Sequence, residues 1–284
     1  TWVIVAGAAL FASFPEWYAT LFSGFYLPLL VILLALIVRG VSFEYRHQRD
    51  EPQWKAAFDR MIVIGSALPA FLWGVAFANI VRGVPLDADH EYAGTVLTLL
   101  NPYALLGGLT TLLLFFVHGV YFVALKTDGD VRRDARRLAG RAGVLTIAVA
   151  AAFLLWTVAN AGAAPLFLAV VGAAGIAALA LIGSVVANAR GREGTAFTLG
   201  AVTIVAAVAT LFLALFPNVM PSTLEAGSSL TIDNASSSPY TLTIMSWAAL
   251  VFLPLILAYQ AWTYWVFRKR VTRARIEKAA LVAH

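Results

Sequence analysis

Apolar runs of about twenty residues recur along this 284-residue chain from one end to the other, and they leave few folds open. A run of that length, coiled as an α-helix, matches the ~30 Å hydrocarbon core of a bilayer. Lipid offers backbone amides no hydrogen-bond partner, so a spanning segment must satisfy them internally, as a helix or a closed barrel. The runs here are continuous Ala, Leu and Val, without the two-residue alternation of a barrel strand. Only 12% of residues are charged, against about 25% in a soluble domain. The expectation is an all-α fold, a polytopic transmembrane helical bundle forming one domain over residues 1–284.

Eight segments can be drawn, at residues 1–14, 17–38, 61–81, 102–125, 144–160, 165–188, 196–216 and 242–267. Pro15 closes the first and Pro217 the seventh. Asn101-Pro102 opens the fourth, an N-cap residue followed by proline at the first helical position. The first segment looks short. Thr1 opens inside it with no initiator Met and no charged leader, so no signal peptide is expected, and a preceding helix is. Ala169, Ala173 and Ala177 recur every four residues in the sixth segment, a spacing that suits close helix packing in lipid.

Lys and Arg fix an orientation. With the even-numbered segments ending inside, 19 of the 20 basic residues fall on the inner side and only Arg82 lies outside. The C-terminal tail, residues 268–284, is then cytoplasmic, and the loop at 217–240 is outside. That loop is rich in Ser, Thr, Pro and Asn and long for a plain connector. Either an ordered cap over helix ends or a functional loop is expected. Aromatic residues at the segment ends, among them Trp17, Tyr18, Trp54 and Trp262, suit the headgroup zone. Because the basic residues sit at helix ends, the net charge of +5 is not a nucleic-acid signal. The stretch 126–141 reads as a charged juxtamembrane helix able to meet anionic lipid.

Few residues can carry chemistry. The chain has no cysteine, which excludes disulfides, iron–sulfur clusters and thiolate zinc sites. Ionisable groups within lipid are costly and therefore candidates for function, yet the acids lie at segment ends or in loops. His118 is the exception, roughly 12 Å from the inner boundary at ~1.5 Å per residue. It has no second histidine at matching depth, as a bis-His haem would need, so an intramembrane polar contact between helices is the leading expectation, with a proton-path role and haem ligation as the alternatives. Arg39 and Glu44 flank the inner end of the second segment, where a local ion pair, a partner contact or a snorkelling Arg would each fit. No metal-spaced cluster, phosphate loop or nucleophile triad is present, so metal binding and catalysis by this chain itself are not expected.

Several strings, in order along the chain, carry a more specific signal. They are TWVIVAGAALFASFPEWYATLFSGFYLPL at the start, NPYALLGGLTTL and HGVYFVALKT at the two ends of the fourth segment, LFPNVMPST and SLTIDNASSSPYTLTIM in the outer loop, and YQAWTYWVFRKRV near the end. Along essentially its whole length the chain resembles subunit II of cytochrome bd-type quinol oxidases. The resemblance implies a complex that couples quinol oxidation to reduction of O2 to water and generates a proton motive force in the bacterial cytoplasmic membrane. It implies nine transmembrane helices in the full subunit, the first preceding Thr1. It also implies that two haems b and one haem d reside in the partner, subunit I. This chain would bind none and would support that partner while helping to form proton and oxygen routes. Trp2 matches a family Trp near a proposed oxygen route or the subunit interface. A small accessory subunit and bound lipid or quinone are further possible partners. A polytopic secondary transporter, which wants broken helices and polar residues at mid-membrane, and a structural subunit of another membrane complex are the alternatives.

Overall fold

The computed structural model describes residues 2–162, 164–270 and 272, without the side chains of residues 2–6 and 226. Nine α-helices are found among the described residues: α1 Trp2–Ser13, α2 Pro15–Gly24, α3 Tyr26–Tyr45, α4 Pro52–Arg82, α5 Pro102–Lys126, α6 Gly129–Asn160, α7 Phe167–Ala189, α8 Glu193–Leu215 and α9 Pro239–Val266. Seven of them, α3 to α9, are long and apolar enough to cross a membrane. The all-α polytopic bundle expected from the apolar runs is what the chain forms.

Two details differ from the eight-segment reading. At 12 residues, α1 extends about 18 Å and falls short of a ~30 Å core. The second segment is also two helices rather than one. Pro15 lacks an amide hydrogen, so it cannot continue α1 but serves as the first residue of α2. α2 is amphipathic and buries Trp17, Thr20 and Leu21. The chain then breaks at Phe25, whose ψ of 19° departs from a continuous helix. Gly24 permits the break to be tightly packed, since a Cβ there would lie 2.8 Å from Tyr92 Cβ.

Helix ends follow local chemistry. The Asn101 side chain accepts from Ala104 N at 2.9 Å, capping α5 as its sequence predicts. Gly83, at φ +92°, stops α4, a conformation that L side chains rarely adopt. The charged juxtamembrane stretch is not a separate helix. It is the first turns of α6, which starts at Asp128–Gly129 and runs for 32 residues.

Neighbours in sequence pack side by side from α3 to α6, α7 packs on α8, and α8 returns to α5. The tightest approach is between α4 and α5. A Cβ on Gly74 would lie 2.6 Å from Gly107 O and 2.8 Å from Gly108 Cα, so backbone meets backbone there. On α7 the packed stripe is Val170, Ala174, Ala177, Leu181, Ser184 and Asn188; of the three alanines singled out by spacing, Ala177 lies on it and Ala169 and Ala173 do not. A helix repeats every 3.6 residues, so a strict four-residue spacing drifts around the cylinder. Alternating steps of four and three stay on one face. α9 stands apart: it buries no residue and packs on α1.

The end of the bundle away from the basic residues is closed by an ordered cap. Strands β1 (Asn218–Met220) and β2 (Leu230–Thr231) pair antiparallel. Val84 N donates to Pro221 O at 3.0 Å, and Ser222 Oγ donates to Leu86 O at 2.8 Å. Trp17 does not anchor in the headgroup zone as expected. It is 7% exposed and its indole donates to Val219 O at 3.0 Å, so α2 is part of the cap. Trp17, Leu21, Phe25, Val84, Leu86, Met220 and Leu230 form one apolar cluster beneath it.

Candidate functional site

His118 lies on α5 facing α8. Its ring stacks on Phe197 at 4.4 Å between centroids. Its Nδ1 is buried with no hydrogen-bond partner among the described residues. The expected intramembrane contact is thus to a ring and not to a polar group. A Cβ on Gly200 would come within 2.8 Å of that nitrogen, so α8 closes against this edge of the ring. No second histidine shares its depth among the described residues, since His47 and His90 lie in loops. These residues do not fit a bis-His haem.

Arg39 and Glu44 make no ion pair with each other among the described residues. Both are exposed, and the Arg39 guanidinium sits 5.7 Å from the Phe43 ring centroid. Gly65 of α4 lets the α3 backbone approach at this level, since a Cβ there would meet Ala35 O at 2.7 Å and Arg39 Cβ at 2.8 Å. Beyond α3, Arg46 pairs with Asp59 at 2.6 Å, and that hydrogen-bonded carboxylate raises the Arg46 pKa. Lys55 likewise holds the Asp50 carboxyl below its ordinary range through a hydrogen bond. The Trp2 side chain lies outside the described residues, as does most of the tail at 268–284.

Three polar nodes were not singled out from the sequence. The first is Glu193, the opening residue of α8. Its side chain is 5% exposed and accepts from Arg132 at 2.8 Å, with Arg136 at 3.7 Å and Arg270 at 3.8 Å. Arg136 also donates to Asn188 O at 3.2 Å, and Lys126 donates to Phe267 O at 2.7 Å. The knot thereby joins the basic ends of α5, α6, α7, α8 and α9. An acid at a helix N-terminus is favourable by itself, which conceals its longer-range partners. Arg132 and Arg136, four apart on one helical face, were the readable half of the signal.

The second node is Asn79, 1% exposed on α4. Its amide donates to Val75 O at 2.9 Å and to Leu99 O at 2.8 Å, and accepts from Asn101 at 2.7 Å. It ties α4 to the loop that caps α5. Asn79→Leu is expected to destabilise the chain by about 1–3 kcal/mol, because Leu99 O and the Asn101 amide lose their partner. Chemical denaturation of the purified variant checks this, and an unchanged midpoint would contradict it. In the third node, the Tyr103 and Thr157 hydroxyls join α5 to α6 at 2.8 Å.

Between α4, α5, α6, α7 and α8 lies a cavity of about 330 Å³. Trp73, Phe77, Phe115, Phe153 and Phe212 contribute much of its wall. The threonines that reach it spend their hydroxyls on their own helices, Thr111 on Gly107 O and Thr203 on Leu199 O. No group of three or more potential metal ligands occurs among the described residues. The arrangement offers an apolar interior, one unpartnered imidazole nitrogen and a charged knot at the basic end.

The sequence itself decides the family. The family model described as cytochrome bd terminal oxidase subunit II matches residues 1–267. This chain belongs to that family. It is 38% identical over 277 residues to cytochrome bd ubiquinol oxidase subunit 2 of Bacillus subtilis, covering 95% of this chain and 80% of that one. It is 34% identical over 311 residues to cytochrome bd-I ubiquinol oxidase subunit 2 of Escherichia coli K12, covering 98% and 82%. Among solved structures, bd oxidase from Geobacillus thermodenitrificans matches with a TM-score of 0.61 at 16% identity, over 84% of this chain and 73% of that one. That likeness concerns the fold. As a subunit II family member and a multi-pass membrane protein, the chain is a component of an oxidoreductase complex.

Proposed function

We propose that this chain is the haem-free subunit II of a quinol:O2 oxidoreductase, placed beside a haem-bearing subunit I in the bacterial cytoplasmic membrane. Quinol oxidation and reduction of O2 to water then occur on the partner, which holds two haems b and haem d. The near-complete family match carries this reading, and the relatives' names supply the quinol. By the basic-residue rule, the basic end of the bundle faces the cytoplasm and the cap formed by α2, β1 and β2 faces outward.

The physical contribution of the chain follows from its surfaces. α9 buries nothing within its own chain and α3 buries three residues, Ile32, Ala35 and Ser42. Apolar faces this open suit lipid or a second helical subunit, and a membrane oxidase subunit requires both. Subunit I is assigned to the open faces of α3 and α9. The Glu193 knot ties the basic end of α9 to α5. Trp2 is assigned to the oxygen route or to the interface, Arg39 and Glu44 to contacts at the inner boundary. An accessory subunit and bound lipid or quinone are compatible with the same open faces.

Affinity purification of the tagged chain from its native membrane tests the assignment. The main copurifying chain is expected to carry haem, with inward-facing His and Met ligands. Recovery of the chain alone, or with a partner that has no haem, contradicts it.

A further inference from the structure

We propose that Asn188, Ser184, Tyr121 and His118 form a hydrated polar file that opens at the basic end of the bundle and brings water and protons inward as far as His118. The proposal turns on where unsatisfied groups fall. Among the described residues, three buried side-chain atoms lack a hydrogen-bond partner: Asn188 Oδ1, His118 Nδ1 and Arg136 Nε, the last of which faces Glu193 Oε1 as an ion pair at 3.7 Å. All three lie in the corner where α5, α6, α7 and α8 meet near the basic end. A buried polar group without a partner is costly, and native proteins meet such groups with ordered water. Scattered orphans would indicate little. Orphans confined to one corner and joined by other polar side chains point to a shared occupant. Water has the chemistry these atoms need, since it can donate to Asn188 Oδ1, take either role at His118 Nδ1 according to tautomer, and accept from Arg136 Nε.

Arg136 and Asn188 are tied by reciprocal side-chain-to-backbone bonds, Asn188 Nδ2 donating to Arg136 O at 3.0 Å and Arg136 Nη2 to Asn188 O at 3.2 Å. Ser184 lies one turn before Asn188 on α7, about 6 Å along the axis. The Ser184 hydroxyl donates to Leu181 O at 2.7 Å within α7, and its oxygen accepts from the Tyr121 hydroxyl at 3.2 Å. Tyr121 and His118 are one turn apart on α5 and converge on Gly200, where a Cβ would meet His118 Nδ1 at 2.8 Å and the Tyr121 ring at 3.6 Å. There is space at the entrance: a Cβ on Gly140 would meet nothing closer than Asn188 Nδ2 at 3.9 Å. Arg132 and Arg136, each about one-third exposed beside Glu193, connect that entrance to solvent.

The file ends at His118. Phe197 covers the imidazole face, and no further buried side-chain atom without a hydrogen-bond partner follows among the described residues. It is therefore an inlet and not a channel across the membrane. The orientation proposed above places its mouth in the cytoplasm; its hydration does not depend on that orientation or on the oxidase assignment.

Radiolytic hydroxyl-radical labelling of the intact complex in lipid nanodiscs reports side chains next to bound water. Tyr121 is expected to be labelled several-fold faster than Tyr103, which is similarly buried but has its hydroxyl on Thr157 and no orphaned neighbour. Deuterium exchange at the imidazole Cε1 gives a second readout, with His118 exchanging on the time scale of the loop residue His47. Asn188→Leu, which makes the entrance apolar, is expected to bring Tyr121 labelling down to the Tyr103 level and to slow exchange at His118. Equal labelling of Tyr121 and Tyr103 in the unsubstituted complex, or an His118 that does not exchange, overturns the proposal without any variant having to fold.

Discussion

Glu193→Ala is expected to lower the stability of the chain by about 3 kcal/mol, the largest loss from any single charge removal. Breaking a buried ion pair from one side leaves its partner uncompensated, at about 3–5 kcal/mol. Here Arg132, Arg136 and Arg270 all lose their shared buried carboxylate, while Arg132 keeps Asp128 at 3.9 Å and Arg270 keeps Thr127 O. Solvent screens part of this, because their side chains are 31–34% exposed, so the lower end of the range applies. The loss should reach beyond α8, since the knot also holds the last turn of α9 near α5. Denaturation of the purified complex measures it, and Arg132→Ala in the same background should cost less than it does alone. A change within about 0.5 kcal/mol, as for a surface pair, would show that the knot contributes little.

Gly74→Ala is expected to be similarly damaging, for a steric reason. Its Cβ would meet Thr111 Oγ1 at 2.5 Å, Gly107 O at 2.6 Å and Gly108 Cα at 2.8 Å. Two of the three are backbone atoms, which cannot rotate aside. α4 and α5 must separate, and overpacking of this kind costs about 1–3 kcal/mol. Separation would also disturb Asn79, which lies one turn further along α4. Gly119→Ala on α5 is the control. Its Cβ would meet nothing within 4 Å, so the substitution should leave stability unchanged or raise it by up to ~1 kcal/mol through helix propensity. Equal effects at Gly74 and Gly119 would contradict the packing described.

The legible parts of the fold were those set by solvent. Apolar length gave the spans from α3 to α9, and basic residues gave the two ends. Proline and Asn101 gave helix starts, because capping is local chemistry. What escaped the sequence depended on partners far along the chain. The break at Phe25 goes with a Gly24 that must clear Tyr92, 68 residues away. Trp17 looked like an interface anchor because its partner, Val219 O, lies 202 residues on. Glu193 read as an ordinary helix-terminal acid. The depth of His118 singled it out, while its surroundings, Phe197 and Gly200, come from another helix. The α7 stripe was misplaced by one position for a different reason, the drift of a four-residue spacing on a 3.6-residue helix.

The proposed role has this chain span the membrane and shape an oxidase without holding a redox centre. The absorption spectrum of the chain expressed and purified by itself tests it most directly. A flat Soret region is expected for the isolated chain, with haem b and haem d bands appearing only when subunit I is present. A Soret band that persists in the isolated chain and is lost in His118→Ala would contradict it.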